Sequence, residues 1–356
     1  MFEIHPILVF EVAQAIDLDH AERLLSGAER PSFRHRGRAT ALFQYRPAPL
    51  RIAQEGASIA IAGWHTNPVV DLVLYDFGAA SVSYTVEAEG DLDDLRTASA
   101  ALTQNDALRS DARGRVEGLL KSVRAAVTRP RVASFTEDYA IFGVRTLPPG
   151  VTVREYCERN AALIAQILRP DAGGLSQEEI TTATELRISF GPSDLTIVDW
   201  DGAFVVDPDP EDVRAVLEFA NVQLLEMRWL DLQMDNAIEQ SYQVLARRWG
   251  WRALWPRRVN DDVRQIAELQ LESAVLLERV SNALKVFGEE YLARIYRLAA
   301  KRFQLAELDA IISRKLATIE SIYQKLSDRA ATIRLEALEW IVIALIAAEI
   351  VLGLIR

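Results

Sequence analysis

The chain has 356 residues, of which 50% are hydrophobic and 26% charged, with a formal net charge of −11 and one cysteine. Single cores stop growing near ~250 residues, so this length favours two domains, and a half-apolar chain excludes global disorder. The lone Cys157 excludes an internal disulfide, and the net acidity argues against a general nucleic-acid coat.

The opening Met1-Phe2-Glu3-Ile4-His5-Pro6 lacks the basic region of a secretory signal. Apolar, β-branched runs predict strands at Ile4–Ala13, Ala39–Tyr45, Asp71–Phe77, Ser81–Val86, Tyr139–Arg145, Glu185–Phe190, Leu195–Trp200 and Ala203–Val206. The last two flank Asp201-Gly202, a dipeptide favoured in tight hairpins because it tolerates positive φ. Helices are expected at Asp91–Gln104, Ala107–Val127 and Val153–Leu168, the last framed by Pro148-Pro149-Gly150 and Arg169-Pro170.

Beyond Pro210 the pattern turns helical. Val216, Phe219, Ala220, Leu224, Met227, Leu230, Met234 and Ile238 draw one apolar stripe along Glu211–Arg248. A second helix is expected from Asn260 to a turn at Phe287-Gly288. From Glu289 a seven-residue repeat sets in, with Leu298, Leu305, Ile312, Ile319, Leu326 and Ile333 as its self-association seam. Arg302 and Asp309 interrupt the companion positions.

The run Trp340–Ile355 carries one charge, Glu349, in 16 residues. As a helix it would be about 24 Å long, short of the roughly 30 Å hydrocarbon core. Trp340, Ile343, Ile346, Glu349 and Ile350 are read as a membrane anchor, against the alternative that the run is the buried end of an oligomeric coiled coil.

Catalytic patterns are missing. The four histidines, His5, His20, His35 and His65, show no metal-ligand spacing, and no phosphate loop occurs. Cys157 reads as a structural thiol. The acids Asp199, Asp201, Asp207, Asp209, Glu211 and Asp212 do not follow the calcium-loop spacing; they fit a hairpin turn and a helix N-terminus instead. No catalytic, cofactor or metal residue is assigned. Between Arg247 and Arg258 five Arg and three Trp occur with no acid. Arg248, Trp251, Arg252, Trp255, Arg257 and Arg258 therefore form a candidate contact for a partner, lipid headgroups or RNA, beside the plainer reading of a helix joint.

Leu338-Glu339-Trp340-Ile341-Val342-Ile343, with Leu345-Ile346 and Glu349-Ile350, resembles the closing signature of the "required for meiotic nuclear division" (RMD/Sif) family. Asp194–Trp200, Ala220–Arg228 and Tyr296, Arg314 and Leu316 resemble its upstream segments. The first half departs from the eukaryotic pattern, which implies a prokaryotic-type member. The resemblance implies a membrane-associated, non-catalytic protein, like relatives that form membrane-anchored oligomers supporting mitochondrial translation.

The expected architecture is α+β: a mixed α/β domain at 1–208, a helical hairpin or coiled-coil region at 209–338 and an apolar tail at 339–356. The expected function is a non-enzymatic, membrane-associated scaffold that forms a homo-oligomer, placed at the cytoplasmic side of an inner membrane. The second choice of location is a soluble cytoplasmic oligomer. A ribosome or RNA tether is the alternative function, and a metal-dependent hydrolase the weaker one.

Overall fold

The strand Phe2–Glu11 (β1) is buried at all ten positions and forms the spine of the structure. The computed structural model describes residues 2–30, 47–170, 174–246, 264, 267–268, 271, 274–275 and 290–355. By contacts the chain divides into two units, Met1–Trp229 with Arg279–Ala306, and Leu230–Glu278 with Glu307–Arg356.

In the first unit β1 joins Ala28–Glu29 (β2), Leu50–Glu55 (β3), Val69–Leu74 (β4), Ala79–Ser83 (β5), Val86–Ala88 (β6), Thr136–Val144 (β7), Arg187–Ile188 (β8), Leu195–Val198 (β9) and Gly202–Val206 (β10) in a ten-stranded sheet. The order is β8-β9-β10-β7-β1-β5-β4-β3-β2, with β6 also on β1. All pairings are antiparallel except β7 with β10. Pro6 stands in the central strand without an N–H to donate, normally a defect in a ladder. Here it faces the gap between β5 and β6, where Tyr84 N–H donates to the Pro6 carbonyl, so no ladder bond is lost.

The described helices are Leu18–Leu24 (α1), Leu92–Thr103 (α2), Asp106–Ser122 (α3), Val153–Arg159 (α4), Ala161–Leu168 (α5), Gln177–Glu185 (α6), Glu211–Ala246 (α7), Glu290–Arg302 (α8) and Leu305–Ile355 (α9). Even-numbered β1 residues point to the face covered by α2 to α5. Leu8 and Phe10 pack with Leu108, Val116 and Leu119 of α3, while Phe2 and Ile4 join Leu95 of α2 and Ile164 of α5. Odd-numbered β1 residues face α7 and α8, as the hydrogen bonds below establish. The first unit is thus a sheet between two helical layers, the architecture in which a strand buried on both faces becomes continuously apolar.

The observed architecture is α+β, a large-sheet α/β body followed by helices. Several elements differ locally from expectation. Val153–Leu168 is two helices, because the Asn160 amide donates to the Tyr156 carbonyl at 2.8 Å and intercepts an acceptor the helix needs. The Asp201-Gly202 hairpin forms, but Gly202 does not use positive φ. Its lack of Cβ matters instead: a Cβ there would stand 2.6 Å from the Ala140 carbonyl oxygen. Gly78, with φ +109°, does require glycine in the β4–β5 turn. The repeat expected to run unbroken from Glu289 is cut after Arg302, where Gln304 takes φ +52° and separates α8 from α9. The expected strand Ala39–Tyr45, the turn at Phe287-Gly288 and most of the helix from Asn260 lie outside the described residues.

In the second unit, Leu230, Met234 and Ala237 of α7 and Ile312, Ile319 and Ile322 of α9 are buried. Lys315 ties the two helices through Asp231 at 2.7 Å and Asp235 at 2.6 Å.

Candidate functional site

The layer between the odd face of the sheet and helices α7 and α8 is unusually polar for a core. β1 sends Glu3, His5 and Glu11 into it, all buried. Buried polar groups are retained only when partnered, because desolvation costs more than a neutral hydrogen bond returns. The partners here come mostly from α7. Arg214 donates from Nη1 to His5 Nδ1 at 3.2 Å, so that nitrogen is the bare one and the ring proton sits on Nε2, facing Glu3 at 3.4 Å. Burial, with the Arg214 charge behind it, lowers the pKa of His5 and keeps the imidazole neutral, against the opposing pull of Glu3. Glu3 is held on its other side by Arg145 at 2.9 Å.

Further along α7, Glu218 accepts from the Ser81 hydroxyl and Arg228 pairs with Glu137. Burial raises the pKa of both carboxyls. Glu226, fully enclosed, faces Glu11, and burial pushes its pKa up to about 7 while Glu11 is pushed well above the carboxylate range. One oxygen of each, Glu11 Oε2 and Glu226 Oε1, has no hydrogen-bond partner.

A second cluster is built around Asp199 in the β9–β10 hairpin, which is wholly buried. Arg169, just after α5, grips it with Nε at 2.6 Å and Nη2 at 3.1 Å, a bidentate clamp. Arg302 at the end of α8 adds a contact of 3.2 Å and donates to the carbonyls of Val198 and Thr182. The Tyr139 hydroxyl donates to the Asp199 carbonyl, and its ring meets Phe303 edge-on. Asp199 is therefore a joint between α5, the hairpin and α8. The other acids have comparable posts. Asp194 accepts from the N–H groups of Phe190 and Gly191 and from the Tyr291 hydroxyl, and Asp207 accepts from Asp209 N–H. Among the described residues no group of three or more His, Cys, Asp or Glu side chains is placed to hold a metal ion. Cys157 is buried, and desolvation pushes its thiol up to about 12, far from the thiolate a nucleophile needs.

Of the self-association seam, Leu305, Ile312 and Ile319 are buried within the chain and Leu298 is half-buried; the side chains of Leu326 and Ile333 lie outside the described residues. Arg248, Trp251, Arg252, Trp255, Arg257 and Arg258 also lie outside them. Trp340, Ile343, Ile346 and Ile350 stand exposed on α9, as does Glu349. Among the described residues no helix is long and apolar enough to cross a membrane. The anchor, the transmembrane helix and the inner-membrane placement expected from this run are therefore corrected. The physical reason is that Glu339 and Glu349 leave only nine uncharged residues between them, about 14 Å of helix against a roughly 30 Å core.

Sequence reasoning missed the buried acids of α7 and the His5 pocket. The available signal was the charge inside the strand Phe-Glu-Ile-His-Pro-Ile-Leu-Val-Phe-Glu, whose odd positions carry Glu3, His5 and Glu11.

The arrangement defines a class: an α+β protein whose sheet is sealed on one face by apolar packing and on the other by paired polar groups. The family described as "Uncharacterized protein MJ0711, N-terminal domain" matches residues 1–212, and the chain belongs to that family. "Uncharacterized protein MJ0711" of Methanocaldococcus jannaschii is 24% identical over 204 residues, covering 56% of this chain and 62% of that protein. The chain thus aligns with less than two thirds of the relative's length. No solved structure matches the chain. These matches overturn the RMD/Sif assignment. The family is carried by the α/β body, whereas the resemblance rested chiefly on helical and apolar segments of the second half, where repetitive composition mimics a signature.

Proposed function

We propose that this protein is a non-catalytic scaffold that assembles with further copies of itself through the C-terminal part of α9, leaving the α/β body to engage a partner. One observation carries the reading. Leu335, Leu338, Trp340, Ile341, Val342, Ile343, Leu345, Ile346, Ile350, Val351 and Leu352 are each more than half exposed. The largest apolar patch on a monomer is about 300–600 Å², and eleven such side chains exceed it. Ile341 to Ile343 with Leu345 and Ile346 step by 100° each and so cover the whole circumference of the helix. A helix apolar all round belongs inside a bundle rather than along one seam. Three or more chains are needed to enclose it.

The reading is supported by the interior as well: Asp199, Glu218, Glu137 and His5 are engaged with other side chains, which suits a rigid platform.

Sedimentation of the full chain tests this against the triple variant Ile343→Glu, Ile346→Glu, Ile350→Glu. The expected result is a discrete species of three or more chains that the variant reduces to monomer with unchanged far-UV circular dichroism. A monomeric full chain, or a variant that stays assembled, overturns it. So does flotation of the full chain with phosphatidylglycerol vesicles in place of assembly.

A further inference from the structure

The apolar face of the sheet contains a gap. In the β1–β7 register Pro6 stands opposite Ala140, between the larger pairs Ile4–Phe142 and Leu8–Asp138. Both side chains are short, and the covering helices part above them. α3 belongs to the cluster of Leu8 and Leu108, α2 and α5 to that of Phe142 and Ile167, and Leu102 packs against both clusters. What remains is a cleft of about 290 Å³, floored by Pro6 and Ala140 and walled by Leu102, Leu108 and Ile167. That volume stands at the lower end of the ~300–1,000 Å³ that small-molecule sites occupy.

The rim is charged, and its signs are unequal. Arg109, Asp138 and Asp201 line it. The Arg109 guanidinium is committed, donating from Nη2 to Asp138 at 2.8 Å and to the Thr103 carbonyl at 3.1 Å. The adjacent Arg169 is committed to Asp199 and Glu179. Two carboxylates against one engaged guanidinium leave the mouth net negative, above an apolar floor. A ligand suited to both must be a cation at one end and hydrocarbon at the other.

We propose that this cleft binds a small primary ammonium on a short apolar body, with the hydrocarbon over Pro6 and Ala140 and the ammonium between the carboxylates of Asp138 and Asp201. The site is independent of assembly through α9, since every lining residue belongs to the first unit.

Calorimetric titration of the full chain with 2-phenylethylamine, 2-phenylethanol and 3-phenylpropanoate tests the proposal. The amine should bind saturably, and the alcohol and the acid at least about tenfold more weakly, the worth of one charge-assisted hydrogen bond. Asp138→Asn should weaken the amine by about the same factor and, by releasing Arg109, move the preference toward the acid. Thr103→Trp, at the half-buried rim, should block all three while leaving the circular dichroism spectrum intact. Absence of saturable amine binding, equal affinity for the three compounds, or undiminished binding to Thr103→Trp overturns the site.

Discussion

The carboxyl groups of Glu11 on β1 and Glu226 on α7 meet in the water-excluded layer between sheet and helix, each with one oxygen unpartnered. Two carboxylates in such a layer cannot both ionise at modest cost, so the pair shares protons and titrates as a unit. Asp76 adds a further negative charge beside Glu226. The contact holds α7 against the sheet only while protonated.

A pH dependence follows. The folded pair keeps protons that the unfolded chain releases above the ordinary carboxyl value of 4.5, and Glu226 holds its own to about 7. Where the folded state binds more protons, stability falls as pH rises. The contribution is present below 4.5 and is lost as pH climbs through 7, on the order of a few kcal/mol. Thermal unfolding between pH 5 and 8 should show this loss, and Glu226→Gln should flatten it. An unchanged slope in the variant would contradict the pairing.

His5 acts with the opposite sign. Its folded pKa is lowered from 6.5, so the unfolded chain binds a proton that the folded one refuses, and stability falls as pH drops below 6.5. His5→Gln should lessen this acid loss in the same melting series, because the amide still bridges Arg214 and Glu3 without titrating. A variant that loses stability on acidification just as steeply would remove His5 from the account.

Much of the first unit is legible in its sequence, and the failures have definite causes. The strand pattern finds β1, β7 and the β9–β10 hairpin because apolar alternation and an Asp-Gly turn are local signals. Gly202 shows the limit: its reason is the Ala140 carbonyl on a strand about sixty residues earlier, a contact that local pattern does not encode. Arg302 shows the same. As a heptad position it looks like a flaw, but it is the residue that α8 delivers to Asp199. The exposed end of α9 is plain from composition, whereas its surroundings are not, since an apolar run reads alike in a bilayer and in a bundle.

The Asp199 joint should be costly to break from the acidic side. Asp199→Ala leaves Arg302, 7% exposed, and Arg169, 20% exposed, without their carboxylate. Removing one partner of a buried pair costs about 3–5 kcal/mol, and urea unfolding should report a loss of that order. Arg169→Gln should cost less, because Arg302 remains on Asp199 and the lost cation is closer to solvent. Equal losses for the two variants would show that the clamp is not organised around Asp199.

Two glycine-to-alanine changes should move stability in opposite directions. Gly202→Ala places a Cβ 2.6 Å from the Ala140 carbonyl oxygen, backbone that is fixed by the parallel β7–β10 ladder. Overpacking of this kind costs about 1–3 kcal/mol. Gly114, inside α3, meets nothing within 4 Å. Alanine there removes only the entropic weakness of glycine in a helix and should stabilise by about 0.5–1 kcal/mol. Urea midpoints measured side by side check both signs. A harmless Gly202→Ala would show that β7 and β10 yield to a methyl group, against the close approach that brings Asp199 and its hairpin to the two arginines.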